Sequence, residues 1–441
     1  MDCTINALDH QGRGVCHPNG KTVAVPFTLP GDVVRVALRG KQKGVHRGAI
    51  EEIITPSPDR VQPPCPFAGR CGGCPWQMMD GAAQIRHKRD RIADALRDIP
   101  HPPIPDPIPS PDQWYFRNRM DYAVGADGSL GLREPGKWWE VLNLETCLLM
   151  SQPAVACMDA FRAWMRTNAI APWNTRTHEG FARALVLREG KHTGERMAVV
   201  ITAAPPQSTA AGTFPGSDAL VRALAPHCTS VLWGVQSRVA DVSFASHYET
   251  LLGSPVLHEE LHIADDPPLT YTIPPNAFFQ TNTRAAEQLV ATVREYAALT
   301  PTETLVDLCC GVGTFAIALA RDAGRVIGVE LEESAVAVAQ ENAHRNGVEH
   351  AEFHHLPAEQ WLFPNATVDC LIVDPPRSGL HPNTRASILA NPPRRIVYVS
   401  CNPHALAEDL RVLGERYKIA RIQPIDLFPH SPHVETVALL T

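Results

Sequence analysis

Hydrophobic and polar positions follow three different rhythms along this chain. Over the first 55 residues, short β-like runs ("KTVAVPF", "DVVRVALRG", "RGAIEEIITP") alternate with the turn sequences "HPNG" and "TLPGD", and no helical period appears. Short strands at this spacing predict a small closed barrel. Residues 82–98 carry apolar positions at helical spacing on a basic background, which predicts an amphipathic helix. "PHPPIPDPIPSP", residues 100–111, is an extended proline-rich connector. From 112 to about 270 the pattern is mixed. "FRNRMDYAVG", "ALVLREG", "RMAVVITAA" and "SVLWGVQ" predict strands, 153–167 a helix, and "AAPPQSTAAGTFPGS" a surface loop. After about 275, short apolar strands alternate with helical segments: "TLVDLCC", "RVIGVEL", "AEFHHL", "DCLIVDPP", "RRIVYVSC", and finally "HVETVALL". That alternation predicts βαβ units and a parallel sheet.

The 441 residues suffice for two or three domains with sizeable cores. The predicted fold is multidomain α/β: an OB-like barrel over 1–57, a central α+β domain over 58–275 and a Rossmann-like domain over 276–441. A hydrophobic fraction of 44% and a charged fraction of 20% are ordinary for a globular protein. No apolar run reaches the roughly 18 residues of a membrane span, and "MDCTINALDHQGRG" lacks a signal-peptide core. A cytoplasmic protein with no membrane partner is the expectation, and no obligate protein partner is indicated.

The net charge of −7 argues against a globally basic nucleic-acid binder. Local charge differs. Arg35, Arg39, Lys41, Lys43 and Arg47 stand against Asp32 alone, and Arg86, Lys88, Arg89, Arg91 and Arg97 against Asp90 and Asp94. Such patches can contact phosphates even on an acidic protein. A solvated charged face has an equal claim on either one.

The candidate chemistry begins at "VDLCCGVGTF". Asp307, Gly311 and Gly313 fall at a strand-to-helix turn, where glycine lets the backbone approach a ligand closely. Glu330 ends the next strand, 17 residues after Gly313, and can accept from a ribose diol. Ala316 replaces the third glycine of a dinucleotide fingerprint, which favours S-adenosylmethionine. Asp374 ends the fourth strand in "CLIVDPPRSGL" and Cys401 follows the fifth in "VYVSCNP". Both belong at the reactive edge of an open α/β sheet. Arg377, where amine methyltransferases carry an aromatic, points to a ring carbon as methyl acceptor. Pyrimidine C5 is too weak a nucleophile unaided. A thiolate at C6 creates an enolate, and a base must later remove the C5 proton. Cys401 suits the first task and Glu435, opening an apolar last strand, the second. Inert packing for the cysteine and a solvated strand end for the glutamate are the alternatives for each alone.

Twelve cysteines are too sparse for a disulfide scaffold. Cys65, Cys71 and Cys74 form C-x5-C-x2-C, with Cys147 far downstream. One C-x2-C half favours iron–sulfur ligation over zinc without excluding zinc. Cys3, Cys16, Cys157, Cys228 and Cys370 look isolated and structural, and Cys309 and Cys310 are expected to pack beneath the cofactor.

These motifs resemble the RNA uracil-C5 methyltransferases over nearly the full length. The resemblance implies a TRAM domain at the N-terminus, and a [4Fe-4S] cluster on Cys65, Cys71, Cys74 and Cys147. It implies S-adenosylmethionine held by Gln280 of "NAFFQTN" together with Cys309, Gly311, Gly313, Thr314, Glu330 and Asp374. It makes Cys401 the nucleophile and Glu435 the base. Cys309 stands where the family usually has Phe or Tyr. Bacterial tRNA members generally lack the TRAM domain and the cluster, so 23S rRNA is the favoured substrate, with tRNA as the alternative and cytosine-C5 methylation a more remote one. The barrel, the 84–97 helix and the central domain are expected to grip the flanking RNA, and the target uridine must leave its stack.

Overall fold

The computed structural model describes residues 1–204, 214, 216–239, 242–245, 247–361 and 368–441, without the side chain of Trp138. The loop expected over 203–217 lies largely outside the described residues.

Residues 2–55 form one six-stranded sheet, in the spatial order Asp2–Thr4, Val33–Gln42, Val45–Thr55, Val23–Val25, Gly14–Cys16, Ala7–Leu8. Alternation along the strands puts Ile5, Cys16, Val23, Val25, Val34 and Val36 into a small core. The two outermost strands have three and two residues and do not pair with each other. The closed barrel expected from the sequence is therefore a half-barrel. Trp76, fully buried, shares a separate small cluster with Leu8, Phe27 and Leu29 of this region, and its Nε1 donates to the Gly12 carbonyl at 2.9 Å.

Asp80 caps the helix Gly81–Ala95 by accepting from the amides of Ala82 and Ala83. One cation of this helix is withdrawn from the basic face expected to grip RNA. Lys88 is fully buried against Asp426 at 2.5 Å and the Phe428 carbonyl at 3.0 Å. Arg86 pairs with Asp59, Arg89 with Asp90 and Asp106, and Arg97 with Asp94.

A mixed seven-stranded sheet follows, running His247–Leu252, Ser230–Val235, Arg196–Thr202, Ala182–Glu189, Arg119–Val124, Leu130–Glu134, Lys137–Asn143. The helix Gln152–Thr167, capped by Ser151, shares a core with it through Met158, Phe161 and Trp164. Cys157 and Cys228 are not isolated as expected. Their sulfurs lie 2.9 Å apart in this core.

The last sheet positions the site. Its strands are β1 (Thr304–Leu308), β2 (Arg325–Glu330), β3 (Ala351–His355), β4 (Cys370–Val373), β5 (Arg395–Ser400), β6 (Ile419–Ile425) and β7 (Glu435–Leu440). The order is β3-β2-β1-β4-β5-β7-β6. Strands β1 to β5 run parallel, as predicted, and β7 runs antiparallel to both neighbours. The strand order reverses between β1 and β4, so a ligand crevice opens at the carboxyl ends there. Because β7 is reversed, its first residue falls at that same edge. Among the described residues no helix is long and apolar enough to cross a membrane.

Candidate active site

The turn after β1 is shaped by its own chemistry. Cys309, Gly311 and Gly313 have φ of 66°, 56° and 87°. A Cβ on Gly313 would meet Ile317 Cδ1 at 2.8 Å, whereas one on Gly311 would meet nothing within 4 Å. Gly313 is thus fixed by helix packing and Gly311 faces open space. Asp307 is fully buried beneath the turn. One of its oxygens accepts from the Ala316 amide at 2.9 Å and the other has no partner. Burial, then the nearby charges of Asp374 and Glu330, push its carboxyl well above the usual range. Glu330 accepts from the amides of Gly311 at 2.9 Å and Leu331 at 2.7 Å. Cys309 and Glu330 line a cavity of about 350 Å³ with Leu331, Ala358 and Pro375. Cys310 is buried, its sulfur 3.0 Å from where a Cβ of Gly328 would stand. Thr314 starts the helix, its carbonyl accepting from the buried Tyr271 hydroxyl at 3.1 Å. Gln280 is 8% exposed, and its carbonyl accepts from Asn118 Nδ2 at 2.8 Å.

Asp374, Cys401 and Glu435 share the edge beyond β4, β5 and β7. Burial lifts the Asp374 carboxyl to about 7. Glu435 is 4% exposed, and burial, then Asp374, lifts it to about 8, against the opposing pull of Arg377. Cys401 is half-buried, and burial, then Glu435, pushes its thiol to about 11, with Arg377 again pulling down. Arg377 is a residue whose role the sequence did not reveal. Its Nη2 lies 3.1 Å from His433 Nδ1. Its place after "DPP" was the available signal. Cys401 and Arg377 open into a cavity of about 1070 Å³ that also reaches Gly12, Arg117 and Thr281.

The four candidate ligand cysteines are brought together. Cys65, Cys71, Cys74 and Cys147 are free thiols lining one small cavity, walled by Phe67, Leu132 and Leu149. A single tetrahedral zinc would hold its sulfurs about 3.8 Å apart. Among the described residues the His/Cys/Asp/Glu set whose ligand atoms all lie within 4.8 Å of one another is His192, His262 and Glu287, not these thiols.

A parallel sheet of this order, with a glycine turn after β1 and a carboxylate ending β2, defines an S-adenosylmethionine-dependent methyltransferase. Residues 236–367 and 362–441 match the family model described as tRNA (Uracil-5-)-methyltransferase, and residues 1–58 match that of the tRNA (uracil(54)-C(5))-methyltransferase TRAM domain. An uncharacterized RNA methyltransferase of Nanoarchaeum equitans is 37% identical over 100% of this chain and 93% of its own. The tRNA (uracil(54)-C(5))-methyltransferase of Pyrococcus horikoshii is 37% identical over 100% of both chains. The crystal structure of the Pyrococcus abyssi tRNA (uracil-54, C5)-methyltransferase with S-adenosyl-L-homocysteine superposes with a TM-score of 0.80 at 32% identity, over 100% of both chains. The chain belongs to the RNA uracil-C5 methyltransferases, with an N-terminal TRAM half-barrel. It is an S-adenosylmethionine-dependent enzyme of class EC 2.1.1 acting on RNA.

Proposed function

We propose that the substrate is a uridine of tRNA, at the position corresponding to uridine 54, methylated through a covalent Cys401 adduct with Glu435 as the C5 base. The observation that carries this is the placement of Cys401 and Glu435 together on the edge that carries the glycine turn. Bound S-adenosylmethionine supplies an electrophilic methyl group. The Cys401 thiolate adds to C6, and the C5=C6 electrons pass to C5 and the O4 enolate. C5 would take the methyl group as the sulfur–methyl bond breaks, its electron pair staying on sulfur so that S-adenosylhomocysteine leaves as a neutral thioether. Glu435 then accepts the C5 proton, the C5=C6 bond re-forms and the Cys401 sulfur leaves as thiolate. Asp374 stands at the same edge, and Gln280, Cys309, Gly311, Gly313, Thr314 and Glu330 hold the cofactor around it.

The alternative of tRNA is better supported than the expected 23S rRNA. That expectation rested on bacterial tRNA members lacking the TRAM domain and the cluster, and the TRAM model that matches here is that of a tRNA enzyme. The Pyrococcus relatives named as tRNA enzymes align with this chain over their whole length. Cys65, Cys71, Cys74 and Cys147 fit a [4Fe-4S] cluster by thiolate count, spacing and an apolar wall.

RNA carrying 5-fluorouridine has no removable C5 proton and should trap the enzyme in a gel-stable complex. Wild type should be trapped by T-loop tRNA in preference to rRNA fragments, and Cys401→Ala should not. An adduct that survives Cys401→Ala would sink the proposal.

A further inference from the structure

The large cavity that Cys401 opens into is lined by six arginines, Arg13, Arg91, Arg117, Arg119, Arg133 and Arg377, and by a single carboxylate, Asp121. Most of this charge is already engaged. Arg13 pairs with Asp9 at 2.7 Å and Arg119 with Asp121 at 2.9 Å. Arg91 donates to the carbonyls of Asp9 and His10, and Arg377 meets His433.

Arg117 differs. Among the described residues its guanidinium has no ion pair, and its buried Nε has no hydrogen-bond partner. Burial pulls its guanidinium down and the sulfurs of Cys74 and Cys147 are the groups that most oppose this, but neither meets the buried Nε donor. Thr281 lines the same cavity, and its buried hydroxyl is likewise unpartnered. The backbone pairs their two segments, and both residues line the one cavity. Arg117 bridges to Asn282, and the Asn118 amide donates to the Thr281 carbonyl at 2.8 Å. A cationic fork and a hydroxyl, both without partners, match the donor set that an anionic oxygen cluster accepts.

We propose that Arg117 and Thr281 form a phosphodiester subsite, which binds a backbone phosphate next to the target uridine and so delivers the base to Cys401. The subsite rests on the RNA reading given above and adds to it the residues that fix the nucleotide's backbone. Thr281 follows Gln280, so the anchored phosphate lies beside the cofactor-binding segment.

The test is a cycle between protein and RNA. In a T-loop RNA, each phosphate flanking the target uridine is replaced in turn by a neutral methylphosphonate. One such replacement should weaken binding to wild type about tenfold, as should Arg117→Gln on unmodified RNA, with the salt slope falling by about 0.7. Combined, the two changes should cost no more than either alone. Thr281→Val should show the same partial coupling with little disturbance of packing, and Arg117→Lys should restore the salt slope. If the losses multiply at every phosphate, or if both variants bind RNA as wild type does, the subsite is overturned. It is also overturned if Arg117→Gln weakens S-adenosylmethionine binding without RNA and spares RNA affinity, because the anion would then be the cofactor carboxylate. 5-Fluorouridine trapping at saturating RNA separates the two readings. A retained Cys401 adduct with unchanged affinity removes the subsite alone, whereas absence of any adduct in wild type removes the role of Cys401.

Discussion

Cys401 and Glu435 lie across from each other one register step beyond Ser400 and Thr436, the outermost pair between β5 and β7. The reversed direction of β7 makes this possible. Were β7 parallel, its first residue would sit at the far edge of the sheet, a strand length from the cofactor turn. The two groups interact, since Glu435 is the largest charge acting on the Cys401 thiol. Their different tasks make the two substitutions separable. Glu435→Gln should leave addition and methyl transfer intact and block release, so a covalent complex with ordinary uridine RNA should accumulate. Turnover should fall about 10²–10⁴-fold. Denaturing electrophoresis of Glu435→Gln with labelled RNA reads the result. A variant that loses turnover without accumulating adduct would show that another group removes the proton.

The raised carboxyl of Glu435 sets a pH dependence. At pH 7 the group is largely protonated, because its midpoint is about 8. The rate of product release in a single turnover should therefore rise from pH 7 to 9 in wild type. The stability effect has the opposite sign. The folded-state value lies above the ordinary 4.5, so the folded chain holds the proton to higher pH than the unfolded chain. Stability from this group is complete below about pH 4.5 and is lost as pH rises through about 8. Glu435→Gln should then melt with wild type at pH 4.5 and above it at pH 9. Equal melting temperatures at both would show that the carboxyl is solvated.

Much of the site was legible because its signals are local. "DLCCGVG" and "VSCNP" each place their residues within one strand-turn-helix unit, and the structure keeps Cys401, Asp374 and the glycine turn at one edge. Glu435 was legible as a carboxylate opening an apolar strand and through resemblance, but only the reversed strand explains why it falls at that edge. Other features depend on contacts remote in sequence. Lys88 reads as part of a basic patch, but its partner Asp426 is 338 residues away. Arg117 and Thr281 stand out by the absence of partners, which no motif encodes. The choice between rRNA and tRNA was not legible in the catalytic motifs, because substrate choice lies in surfaces.

The buried pair of Lys88 and Asp426 ties the helix Gly81–Ala95 to the segment leading into β7. Burial pulls the Lys88 amine down while Asp426 holds it up. Lys88→Met would leave Asp426 buried and unpaired, at a cost of about 3–5 kcal/mol. Lys88→Met combined with Asp426→Leu should recover most of that loss. Urea unfolding of the single and double variants checks this. A double variant no more stable than Lys88→Met would mean that the Phe428 carbonyl, which Lys88 also binds, carries the cost instead.

The cysteine loop reaches the same segment by a second route. Trp76, two residues after Cys74, donates its amide to the His430 carbonyl at 2.9 Å. His430 is stacked on Trp114 with ring centroids 4.0 Å apart, and its amide donates to Gln84 Oε1 at 2.7 Å. Five residues on lies Glu435. Protein purified without oxygen should carry about four irons and four sulfides per chain with broad visible absorption, as four-thiolate ligation requires. Cys74→Ser should lose most of that iron and absorption. Because Trp76 also packs against Leu8, Phe27 and Leu29 of the N-terminal region, metal removal should lower the melting temperature by several degrees. It should slow release of methylated RNA more than formation of the Cys401 adduct, since the disturbed segment leads to Glu435. If the cluster-free chain melts as the loaded chain does and releases product at the same rate, the loop is no brace for β7. Zinc in place of iron in anaerobic protein would overturn the cluster itself.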